Sequence, residues 1–162
     1  MCRPEFLCYC LLMHTRRIEA IAEKYGLRFV YFFGSEAEKG RVYLEKGKVT
    51  PFPFSDLDVA VAFEKALAEP METYGHLYKE ISETLDPFDV DLVFMQDVNT
   101  LFKYEIIRGV RIYVRDEFDA DEFEEEIMKR SEDLLVKKRR LDRDIMEAVE
   151  NGYIEFEYHP NP

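Results

Sequence analysis

Apolar residues along this chain switch between two spacings, and each switch predicts an element. Ile18, Ile21, Ala22 and Tyr25 fall on one helical face over residues 15–25, and Gly26 follows as a stop. RFVYFFG, residues 28–34, is strand-prone and ends in glycine; SEAEKG after it suits a short helix. RVYLEKGKVTPFPF, 41–54, reads as a hairpin with Lys46-Gly47 at its tip and a proline-stiffened return. DLDVAVAF, 56–63, is a second strand. Pro70–Leu85 spaces Met71, Tyr74, Tyr78, Ile81 and Leu85 by threes and fours, which predicts a helix with these residues as its core stripe, ended by Asp86-Pro87. FDVDLVFM is a third strand, NTLFKYEIIRG a helix with an Asx-type start and a glycine stop, and VRIYVR a fourth strand. From about Ala120 to Val149 a long helix carries Phe123, Ile127, Leu134, Leu141 and Ile145 in register. The tail YIEFEYHPNP alternates like an edge strand or contact arm but ends in proline.

Alternating strands and helices predict an α/β or α+β fold: a small mixed β-sheet of about four strands flanked by helices, with a long C-terminal helix. The length of 162 residues and 47% apolar content suit one domain over 15–150, with an N-terminal arm over 1–14 that need not be ordered and a tail over 151–162. A net charge of −12 disfavours broad nucleic-acid binding but admits an anionic ligand held through metal ions. The cysteines, Cys2, Cys8 and Cys10, crowd into the first ten residues, which favours a reducing compartment, the cytoplasm, over a disulfide-stapled secreted fold. FLCYCLLM has signal-like apolar character, yet it is far shorter than a membrane span and lacks a small-x-small cleavage site. Met13 is an alternative start, and Cys8-x-Cys10 alone is a weak metal signal.

Carboxylates at the heads of two apolar strands change the picture. Residues i and i+2 of a strand share a face, so Asp56 pairs with Asp58, and Asp89 with Asp91. Ala60 and Ala62 continue the acidic face with small side chains, while Val59, Val61 and Phe63 point away. Converging carboxylates stay ionised only around a cation; otherwise one takes up a proton. Hard oxygen donors without nearby Cys or His suit Mg²⁺ or Mn²⁺ rather than zinc. A single Asp-x-Asp equally fits a solvated turn. The third feature is Gly34-Ser35, where a strand runs into a predicted helix start, a place that favours phosphate.

Gly34-Ser35, Gly40, Ser55-Asp56-Leu57-Asp58 and Val90-Asp91-Leu92-Val93 together resemble the polymerase-beta-type nucleotidyltransferases, and within them the minimal nucleotidyltransferases (MNT). The resemblance covers about residues 16–145 and includes LFKYEIIRGVRIYVRD, similar to the segment after the third acid. It implies a nucleotidyltransferase fold, with Asp56, Asp58 and Asp91 as catalytic metal ligands and Gly34 and Ser35 on the nucleotide phosphates. Asp89 is the fallback third acid. One departure is the spacer of twenty residues between Ser35 and Asp56, where the family has about half that number. The resemblance further implies a Mg²⁺-dependent enzyme moving AMP from ATP to a hydroxyl. The acceptor would be on a HEPN-type toxin, this chain being the antitoxin, with no membrane partner and the oligomeric state left open. Transfer to a small molecule such as an aminoglycoside, and neutralisation of a partner by contact alone, are the competing readings.

Elsewhere, Lys137–Arg140 with Arg143 reads as a solvated helix face, or as a contact to phosphates or an acidic partner. DEFEEE, 121–126, suits a helix N-terminus. His14, His76 and His159 are too widely spaced for a ligand set.

Overall fold

The computed structural model describes the backbone of residues 4–153 and the side chains of residues 14–153. Cys2, Cys8, Cys10, His159 and nearly all of the tail's alternating run fall outside the described side chains. Helices α1 (Pro4–Tyr25), α2 (Ala37–Lys46), α3 (Pro70–Leu85), α4 (Thr100–Ile107) and α5 (Glu117–Glu150) alternate with strands β1 (Leu27–Phe33), β2 (Leu57–Phe63), β3 (Val90–Phe94) and β4 (Val110–Val114). The sheet order is β3-β2-β1-β4; β1 is antiparallel to both β2 and β4, and β2 is parallel to β3. The fold is therefore the expected mixed four-stranded sheet with a long last helix. Among the described residues, no helix is long and apolar enough to cross a membrane.

Central strands β1 and β2 are buried almost end to end, because helices cover both faces. Val30, Phe32, Val59 and Val61 meet Ile18, Tyr43, Leu77 and Ile81 from α1, α2 and α3 on one face. On the other, Phe29, Tyr31, Phe33, Ala60 and Ala62 meet Ile106 of α4 and Ala120 and Ile127 of α5. The small alanines leave room there for the helices beside the acids.

Four expectations need correction. The segment 41–54 is not a hairpin. Its first part continues α2, whose buried Ala37, Gly40, Tyr43 and Leu44 follow a helical spacing, and Arg41 pairs with Glu38 and Glu45 along the helix. Gly47, at φ 68°, is the left-handed cap ending α2 rather than a hairpin tip. The expected arm over 1–14 is helical from Pro4 onward, proline being well suited to a first helical turn. On α3 the buried residues are Leu77, Ile81, Thr84 and Leu85, whereas Met71 and Tyr78 are exposed. Met71 lies on the first turn. On α5, Ile127 is buried but Leu134, Leu141 and Ile145 are exposed.

Candidate active site

The parallel ladder between β2 and β3 sets Asp58 directly opposite Asp91, and the antiparallel ladder sets Asp58 opposite Phe33. Strand periodicity places Asp58 and Asp91 on the same face as Ala60, Ala62 and Phe33. Directly opposed residues on neighbouring strands lie within about 5 Å. Asp56 stands just before β2 and is exposed. Asp89 also precedes its strand; its carbonyl accepts from Leu57 N–H at 2.7 Å, and Asp91 is the acid brought beside Asp58.

Gly34 leaves β1 with φ 73°, a conformation other residues rarely adopt. A Cβ there would fall 2.1 Å from Asp58 Oδ2, so the Gly34 backbone lies against that carboxylate. Ser35 follows, and the dipole of α2 begins two residues later, favouring negative charge at this end. Ser35 Oγ meets Ser55 Oγ at 3.1 Å. Ser55 precedes Asp56, so this contact closes the long spacer back onto its origin. The fold thus gathers Gly34, Ser35, Asp56, Asp58 and Asp91 at one end of the central strands.

Electrostatics agree with the geometry. Asp58 holds its proton more tightly than an ordinary aspartate, first because it is partly buried and then because Asp91 and Asp56 repel its charge. No cationic side chain among the described residues offsets that rise. Among the described residues, no three His, Cys, Asp or Glu side chains already close around a metal-sized space. The donor chemistry nevertheless fits a hard divalent cation, since three mutually repelling carboxylates are relieved by one.

Sequence reasoning gave Ser55 no separate role and passed over Glu36. The serine had a signal, being adjacent to Asp56. Glu36 had none: it stands among Glu38, Lys39 and Arg41 and reads as exposed.

The family model described as polymerase beta nucleotidyltransferase matches residues 16–118. No curated protein matches in sequence. Similar solved structures include a chain of the toxin–antitoxin MntA–HpeT with two aspartates changed to glutamate; it is 19% identical over 82% of this chain and 98% of that chain, with TM-score 0.62. Another belongs to the tri-AMPylated Shewanella oneidensis HEPN toxin in complex with MNT antitoxin, 19% identical over 84% and 98%, with TM-score 0.59. A third is from a toxin–antitoxin with AMP-PNP, 20% identical over 82% and 98%, with TM-score 0.61. At these identities the likeness establishes a shared fold.

Proposed function

Because this chain belongs to the polymerase beta nucleotidyltransferase family, we propose that it transfers AMP from ATP to a hydroxyl on a HEPN-type toxin and acts as that toxin's antitoxin. The observation that carries the reading is the facing pair Asp58 and Asp91, with the Gly34 turn against Asp58. The solved relatives favour the AMP donor and the protein acceptor, since one contains a tri-AMPylated HEPN toxin and another AMP-PNP.

In this reading Gly34 and Ser35 grip the β- and γ-phosphates, with the start of α2 behind them. Asp56, Asp58 and Asp91 hold Mg²⁺, which when bound supplies charge neutralisation to the phosphates. Asp91 takes the proton from the acceptor hydroxyl. The hydroxyl oxygen forms its bond to the α-phosphorus as the bond from that phosphorus to the bridging oxygen breaks, and pyrophosphate leaves in line. The rate gain comes from alignment and from charge placed before the reaction starts.

The test incubates the purified protein with ATP labelled at the α-phosphate, Mg²⁺ and the folded product of its neighbouring gene. Label on that partner is expected, and Asp58→Asn should slow labelling by about 10³-fold or more. An unlabelled partner sinks the protein-acceptor reading. If Asp56→Asn with Asp58→Asn still neutralises the partner in full, contact rather than catalysis is the function.

A further inference from the structure

Glu36 is the one charged side chain fully buried among the described residues, at 0% exposure. It stands directly after Ser35, at the N-cap position of α2, yet its side chain does not cap the helix. Its Oε2 instead accepts a hydrogen bond from Phe52 N–H at 3.2 Å. Its Oε1 lies 3.4 Å from Lys39 Nζ, an ion-pair contact without hydrogen-bond geometry. Burying a carboxyl group is unfavourable unless its partners compensate, and the mechanism above makes no use of this one.

Its partner belongs to the irregular segment between Gly47 and Asp56, where no strand or helix holds the chain. Phe52 O in turn accepts from Ser55 N–H at 3.3 Å, and the Ser55 hydroxyl meets that of Ser35. The contacts form a closed ring: Ser35 and Glu36 on one side, Phe52 and Ser55 on the other. Phe54 inside that turn has a left-handed backbone, φ 64°, which is unfavourable for phenylalanine. Its side chain is 107% exposed, so packing by Phe54 does not hold the turn in place.

We propose that Glu36 is a positioning residue that builds the second wall of the phosphate cradle. It pins the Phe52–Ser55 turn so that the Ser55 hydroxyl stands beside Ser35 and faces the terminal phosphates of a nucleoside triphosphate. The unusually long spacer thereby gains a role, since it returns a hydroxyl to the turn it left. This inference rests on the nucleotidyl-transfer reading above.

The experiment measures dissociation constants of the full chain, in Mg²⁺, for three probes: ATP, inorganic tripolyphosphate and AMP. Glu36→Ala should weaken ATP and tripolyphosphate about 10-fold and leave AMP, which lacks the terminal phosphates, within about twofold. Glu36→Gln keeps an oxygen that accepts from Phe52 N–H and should stay within about threefold of wild type. Should Glu36→Ala fail to fold, Phe52→Pro deletes the donor at a surface position and carries the same expectation, with Phe52→Ala, which keeps the N–H, as its control. Equal weakening of AMP, or unchanged ATP affinity in a folded Glu36→Ala or Phe52→Pro, overturns the positioning role and leaves the transferase reading intact. A wild type that binds neither ATP nor tripolyphosphate overturns both.

Discussion

Asp58 concentrates the tension of the site. Burial and the charges of Asp91 and Asp56 all oppose its ionisation. Folding raises its proton affinity, so its contribution to stability is fully present below the unfolded-state pKa and is lost as pH rises through the folded-state value. At neutral pH its charge therefore works against the fold unless a cation is bound. Asp58→Asn should raise the melting temperature of the metal-free protein at pH 7. In wild type, Mg²⁺ should raise the melting temperature by mass action, and the variant should lose most of that rise. A calorimetric scan with and without Mg²⁺ checks both; a variant that melts lower than wild type without metal contradicts the argument. Period-two spacing treats Asp89 and Asp91 alike. Only the ladder register between β2 and β3 brings Asp91 to Asp58.

At the scale of elements, α5 shows where a sequence pattern overreaches. Its 34 residues span about 51 Å at the helical rise. Strands of five to seven residues reach only about 23 Å. The helix overhangs the sheet, so one apolar register is buried at Ile127 and open to solvent at Leu141. Ile127→Ala should cost about 2–4 kcal/mol in chemical denaturation, and Leu141→Ala less than about 0.5 kcal/mol; equal losses would mean the far half is packed. Polar ties hold the near half. Tyr31 donates to Glu124 at 2.8 Å, Arg111 reaches Glu124 and Asp121 at 2.6 Å each, and Arg28 pairs with Asp119. The Arg28 guanidinium holds Asp119 below the usual aspartate range, so this pair stabilises the fold above the unfolded pKa of about 3.9 and is lost as pH falls through the lower folded value. Asp119→Asn should flatten the acid limb of a melting-temperature profile taken below about pH 4; an unchanged limb would show that the pair adds nothing. The sequence reads as a hairpin over the second half of α2 for a local reason. Val42-Tyr43-Leu44 looks strand-like in a short window, and its helical period appears only when the window starts at Ala37.

The whole molecule is strongly acidic, with a net charge of −12. Self-repulsion of that size is screened within about 10 Å at 0.1 M salt. Its melting temperature should therefore rise between about 0.01 and 0.3 M NaCl. A fall over that range would mean that ion pairs such as Arg115–Glu64 and Lys24–Glu80 outweigh the repulsion. The sheet order brings β3 next to β2 and β4 next to β1, so residues 33, 58 and 91 meet although far apart in sequence. The loop between α2 and β2 takes no part in the ladders, so its length leaves the strand register unchanged.

Local chemistry was sufficient to predict the four strands, the helices α3, α4 and α5 beside them, and the Asn99 cap of α4, whose side chain accepts from Phe102 N–H at 3.0 Å. Those features depend on neighbours within a few positions, and such neighbours are visible in a linear string. Contacts between distant segments decided the rest: that Asp91 faces Asp58 across the ladder, how much of α5 is covered, and that Glu36 is buried with Phe52 N–H as its donor. Burial is a property of what lies on top of a residue, and a residue's own identity and immediate neighbours do not carry it.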